Sequence, residues 1–92
     1  MLYVLMCNDK INSEELRKEV RPNHLHYLQD FDIKLAGPIL SDDQQTIFGS
    51  LILLECDDKE AAEAFASNDP YNTAGLFESV EISPFRQAIP QA

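Results

Sequence analysis

The chain predicts a single α+β domain with elements in the order βαββαβ, and three observations carry that prediction. Four short apolar runs are each bounded by polar clusters. Two segments open on a cap residue with an acid close behind, and 92 residues are enough for one compact domain but not for two.

The first run, LYVLMC at Leu2 to Cys7, is too short and too evenly apolar for a surface helix. Asn8-Asp9-Lys10 ends it, so it reads as a buried strand. Asn12-Ser13-Glu14-Glu15 then marks a helix start, and Leu16, Val20, Tyr27, Leu28 and Phe31 follow at helical spacing. The expected helix covers residues 13–31. Pro22 should bend or break it, because proline lacks an N–H and crowds the carbonyl four residues back.

IKLAGPIL at Ile33 to Leu40 is the second strand. Pro38 cannot donate to a ladder, so it marks an edge, a bulge or the end of pairing. Ser41 to Gln45 turns the chain into TIFGSLILLE at Thr46 to Glu55, the strongest strand, and the two form a hairpin. Asp57-Asp58-Lys59-Glu60 opens the second helix, which runs to about Asn68 with Phe65 as its large core residue. Asp69-Pro70 has the form of an N-cap and first helical residue for one short turn ending at Gly75. Leu76 to Ile82 is the fourth strand, and the chain from Pro84 reads as a tail. The domain is set at residues 1–86, with 87–92 as C-terminal tail.

This order is the ferredoxin-like arrangement, a four-stranded antiparallel sheet with both helices on one face. A helix-free face in water should alternate apolar and polar residues, yet the first and third strands are apolar at nearly every position. The simplest cover is the sheet of a second copy, giving a homodimer through the sheet face.

The formal charge of −9 at pH 7 argues against sequence-independent binding to nucleic acid or to an anionic membrane, both of which need a basic surface. Cys7 and Cys56 lie in apolar runs without a CxxC or Cys/His spacing, so they read as free thiols of a cytoplasmic protein. No secretory signal peptide is expected, since Met1 to Met6 lacks a basic start. No stretch reaches the ~20 apolar residues of a membrane span.

The chemistry-bearing residues begin with the only two histidines, in EVRPNHLHYL at residues 19–28. On a helix, His24 falls near the apolar stripe beside Arg17 and Arg21, whereas His26 turns to the polar side. Residues two apart diverge by about 200°, so the two imidazoles cannot share a metal ion, and no metal site is expected. Read by periodicity alone, His24 is either a general base or a half-buried helix residue bonded to a carbonyl. Asp69 is a cap before it is anything else. Gly37-Pro38 and Gly49-Ser50 interrupt strands where another group can come close, and Ser50 could donate into a cavity. No phosphate-binding glycine loop or GxSxG elbow is present.

Taken in order, MLYVLMCNDK at the start, Arg17, VRPNHL at 20–25, AGP at 36–38, GS at 49–50, DPY at 69–71, AGLF at 74–77 and Pro84-Phe85 resemble the YciI-like (YCII-related) proteins from Met1 to about Arg86. Single motifs such as AGP are weak, but the ordered set is specific. The resemblance implies the ferredoxin-like fold and a dimeric α+β barrel like that of muconolactone isomerases and small cofactor-free monooxygenases. It also implies a pocket holding a catalytic histidine and aspartate. The histidine of RPxHL is His24 here, and the aspartate of DPY is Asp69. Arg17, Arg21, Gly37, Pro38, Gly49 and Ser50 match other recurring positions, while His26 matches none.

The expectation is a cofactor-independent isomerase or lyase moving a proton on a small hydroxylated ring, lactone or carbonyl compound. His24 acts as acid–base, Asp69 fixes its tautomer, Arg17 or Arg21 holds an anionic group, and Ser50, with Gly37 and Pro38, orients the ligand. The alternative is a non-catalytic dimer that binds a metabolite or a partner protein.

Overall fold

The computed structural model describes residues 1–91. Its elements are β1 (Leu2–Asp9), α1 (Glu14–Leu28), β2 (Asp32–Leu40), β3 (Ile47–Glu55), α2 (Lys59–Asn68), α3 (Pro70–Thr73) and β4 (Phe77–Phe85). The strands form one antiparallel sheet in the order β2-β3-β1-β4, which is the ferredoxin-like fold.

Alternation along β1 and β3 divides the sheet into two apolar faces. Tyr3, Leu5, Cys7, Ile52 and Leu54 pack with Ala62, Phe65 and Ala66 of α2, Tyr71 of α3 and Leu76 to make the core. Leu16, Val20, Tyr27 and Leu28 close α1 over it. α2 starts where Asp58 accepts the Ala61 N–H at 2.8 Å, and Gly75 ends the α3 turn at φ 83°, a conformation open to glycine.

The largest departures from the sequence expectation are in α1 and β4. α1 spans Glu14–Leu28 rather than 13–31, because Gln29, Asp30 and Phe31 bond the carbonyls three residues back and tighten the chain out of the helix. Pro22 lies inside α1 without breaking it. It is exposed, as is Lys18, so the carbonyl that loses its donor lies on the solvent side. β4 continues through Pro84 to Phe85, beyond Ile82. It is an edge strand, which accommodates a proline opposite Tyr3. Pro38 sits likewise on edge strand β2, opposite Ser50.

Gly49 of β3 lies against the backbone of β1, opposite Asn8. A Cβ there would stand 2.5 Å from the Cys7 carbonyl oxygen. The opposite sheet face carries Leu2, Val4 and Met6 of β1; Val4 pairs with Leu53 and Met6 with Leu51 of β3, and Leu53 pairs in turn with Leu35 of β2. Among the described residues no helix covers it. Among the described residues no helix is long and apolar enough to cross a membrane.

Candidate active site

A cavity of about 430 Å³ opens between α1 and the helix-facing side of β2 and β3. Leu25, Leu28, Ala36, Ile47 and Ile52 give it apolar walls, and Arg17, His24, Ser50 and Tyr71 supply its polar interior.

His24 comes from the inner face of α1 and is 5% exposed, and Asp69, before α3, is 1% exposed. The two meet because Asp69 is an N-cap. Its backbone is extended, which turns the side chain back over the helix start, so that Oδ1 accepts the Tyr71 N–H at 2.9 Å. The same oxygen lies 2.7 Å from His24 Nδ1. A carboxylate can only accept, so this bond puts a hydrogen on Nδ1. Nε2 is then the imidazole nitrogen that keeps its lone pair.

Tyr71 holds this geometry. Its ring stacks on His24 with centroids 3.9 Å apart and planes 17° from parallel, and Arg17 Cζ stands 4.7 Å from its centroid. Arg17 and His24 are two helical turns apart on one side of α1, about 10 Å along the axis, so the Tyr71 ring is wedged between them. Burial pushes its phenol pKa up; Arg17 and Arg21 oppose that rise, while Asp69 and Asp9 add to it. The ring is neutral at physiological pH.

The Arg17 guanidinium is engaged on two sides. Nε and Nη2 donate to the two carboxylate oxygens of Asp9 at 2.7 and 3.1 Å, and Nη2 also donates to Ser50 Oγ at 2.7 Å. Burial lowers the Arg17 pKa, but the hydrogen bonds and charge of Asp9 outweigh it, so the group stands above its ordinary value. Arg17 is therefore a buried, paired cation rather than a free one.

Arg21 and Lys18 stand exposed at the rim, and among the described residues neither forms an ion pair. Gly37 and Pro38 line the β2 wall. Gly49 lies behind Ser50 and does not line the cavity, and His26 is exposed on the other side of α1. Among the described residues no group of three metal-ligating side chains clusters.

Sequence reasoning gave no role to Asp9 or Tyr71. Asp9 read only as the polar end of a strand, and nothing local signals its pairing with a helix residue eight positions on. Tyr71 lay within the DPY motif, which was a usable sign.

The sequence profile of the YCII-related domain matches residues 1–86. Protein YciI of Escherichia coli O6:H1 is 38% identical, over 95% of this chain and 98% of the relative. Among solved structures, 5-chloro-2-hydroxyhydroquinone dehydrochlorinase (TftG) from Burkholderia phenoliruptrix AC1100, in complex with 2,5-dihydroxybenzoquinone, aligns with a TM-score of 0.87 at 26% identity over 96% of both chains. A proposed antibiotic biosynthesis monooxygenase from Nitrosomonas europaea aligns at 0.60 and 17% identity, over 99% of this chain and 92% of that one, a likeness of fold.

Proposed function

This chain belongs to the YCII-related domain family, and we propose that it is a small cofactor-independent enzyme moving a proton on a hydroxylated ring, lactone or other small carbonyl compound, as an isomerase or lyase. The observation that carries this reading is the buried His24–Asp69 pair, 2.7 Å apart, whose imidazole lines the cavity. A dehydrochlorinase of a hydroxylated ring with the same fold at 26% identity supports the substrate class.

In this reading His24 Nε2 takes a proton from the substrate, while Asp69 holds the tautomer and stabilises the imidazolium that forms. The electron pair released moves toward a carbonyl oxygen or expels a leaving anion. Arg21 at the rim attracts an anionic substrate, Gly37 and Pro38 shape the wall, and Ser50 orients the ligand oxygen. The reading places the enzyme in the cytoplasm, in keeping with two free thiols.

We infer in addition that the chain is a homodimer closed through the helix-free sheet face into an α+β barrel. The apolar row Val4, Met6, Leu51, Leu53 and Leu35 supports it, because an isolated chain leaves Leu35 54% exposed.

The test is a thermal-shift screen of hydroxyquinones, hydroxylactones and chlorinated hydroxyhydroquinones, followed by turnover assays with His24→Ala. Loss of 10²- to 10⁴-fold in turnover, about the usual worth of acid–base catalysis, with the ligand still bound, is expected. Full turnover in His24→Ala would refute the assignment, and binding without turnover in the unaltered protein would make it a binding protein.

A further inference from the structure

Ser50 is 3% exposed and lies on β3 at the cavity wall. Its Oγ receives a hydrogen bond from Arg17 Nη2 at 2.7 Å. A guanidinium has no acceptor, so this bond leaves the Ser50 hydroxyl hydrogen to point elsewhere. Among the described residues no oxygen or nitrogen accepts it, and the cavity is the open direction. Arg17 is itself fixed at three points: Asp9 takes two of its N–H groups in the fork geometry, and the Tyr71 ring packs against it.

We propose that Asp9, Arg17 and Ser50 form a relay that makes Ser50 an obligate hydrogen-bond donor into the cavity, where it binds the substrate oxygen that becomes an oxyanion when His24 takes the proton. The inference rests on reading the cavity as an active site, and it changes the part given to Arg17. With its charge matched by Asp9, Arg17 does not hold the substrate's own anionic group. It acts through Ser50 as a positioning residue that sharpens the donor, with Asp9 as the anchor behind it. A donor fixed before the reaction stabilises charge as it develops without having to reorient. The substrate oxygen that gains most is an enol, hydroxyquinone or lactone carbonyl oxygen conjugated to the acidic position. The proton goes to His24 Nε2, the electron pair to that oxygen, and the Ser50 hydroxyl bonds to it.

The relay can be read without a known substrate. In a Cys56→Ser background, Ser50→Cys places a thiol on the Arg17 donor. Burial holds the remaining Cys7 thiol up at about 12, so it stays silent. The rate of alkylation by iodoacetamide against pH, with the site identified by mass spectrometry, gives the thiol midpoint. It should lie at least about one unit below that of an unperturbed thiol and rise by more than about one unit in Arg17→Met. A midpoint at or above the free value, or a folded variant that is not alkylated, overturns the proposal.

Should Ser50→Cys fail to fold, calorimetry with 2,5-dihydroxybenzoquinone, an acidic enol, is the second measurement. Ser50→Ala should bind it at least about tenfold more weakly, a change of roughly one decade in Kd. Equal affinity, or no binding to the unaltered protein at millimolar concentration, overturns the proposal. Turnover lost in His24→Ala with an unshifted thiol midpoint sinks the relay alone. A lowered midpoint with full turnover in His24→Ala sinks the base alone.

Discussion

His24 Nδ1 and Asp69 Oδ1, 45 residues apart in the chain, lie 2.7 Å apart, and that one carboxylate oxygen also caps α3 through the Tyr71 N–H. The cap and the imidazole partner are thus one atom, and substitutions at Asp69 separate its two duties. Asp69→Ala loses both and should cost about 2–4 kcal/mol in urea unfolding. Asp69→Asn keeps an amide oxygen for both donors and should cost about 1 kcal/mol, while lowering turnover by removing the charge beside the imidazolium. Equal destabilisation by the two would mean that the charge, not the cap, holds this corner.

The Asp9–Arg17 pair is almost wholly buried. Removing one partner leaves the other desolvated and alone, which typically costs about 3–5 kcal/mol. Asp9→Ala should fall in that range by chemical denaturation. Asp9→Leu combined with Arg17→Met should be milder than Asp9→Ala alone, since no charge is stranded.

Cys7 sets a pH dependence. Burial first, then the charges of Asp69 and Asp9, push its thiol up to about 12, whereas the unfolded chain loses that proton near the ordinary value of 9. Between those limits the folded state binds more protons than the unfolded one. The stability due to the protonated thiol is therefore complete below about pH 9 and is lost as pH rises toward 12, on the order of a few kcal/mol in all. Tyr27 and Tyr71, both raised by burial, act with the same sign at higher pH. Melting temperatures should fall above pH 9, and Cys7→Ala should flatten the first part of that fall. A slope unchanged by Cys7→Ala assigns it to the tyrosines.

Sedimentation should return about twice the chain mass of 10.4 kDa at micromolar concentration. Leu51→Asp, on the helix-free face opposite Met6, should return the single-chain mass with the secondary structure intact by circular dichroism. A single-chain mass for the unaltered protein removes the dimer.

Gly49→Ala is expected to be destabilising by about 1–3 kcal/mol, because its methyl group would meet the Cys7 carbonyl oxygen, which belongs to backbone paired across β1 and β3. A melting temperature equal to that of the unaltered protein would mean that the strands separate there at little cost.

The sequence by itself determined the elements, their order and the sheet they form. The caps at Asp58 and Asp69, the apolar runs of β1 and β3 and the proline at an edge position are local signals that need nothing distant to be read. It also separated His24 from His26, since 100° per residue fixes which side of a helix each occupies. It misjudged only ends, where tightened turns close α1 and an edge strand tolerates Pro84. Tertiary structure alone decided what the charged groups do. Arg17 reads as a free cation from its place on α1, yet it is consumed by Asp9 from β1 and by Ser50 from β3. Those bonds join three elements that meet only after the sheet has formed. The physical reason is that a hydrogen bond is set by distances of about 3 Å, while periodicity fixes only which face a side chain takes and not which partner waits there.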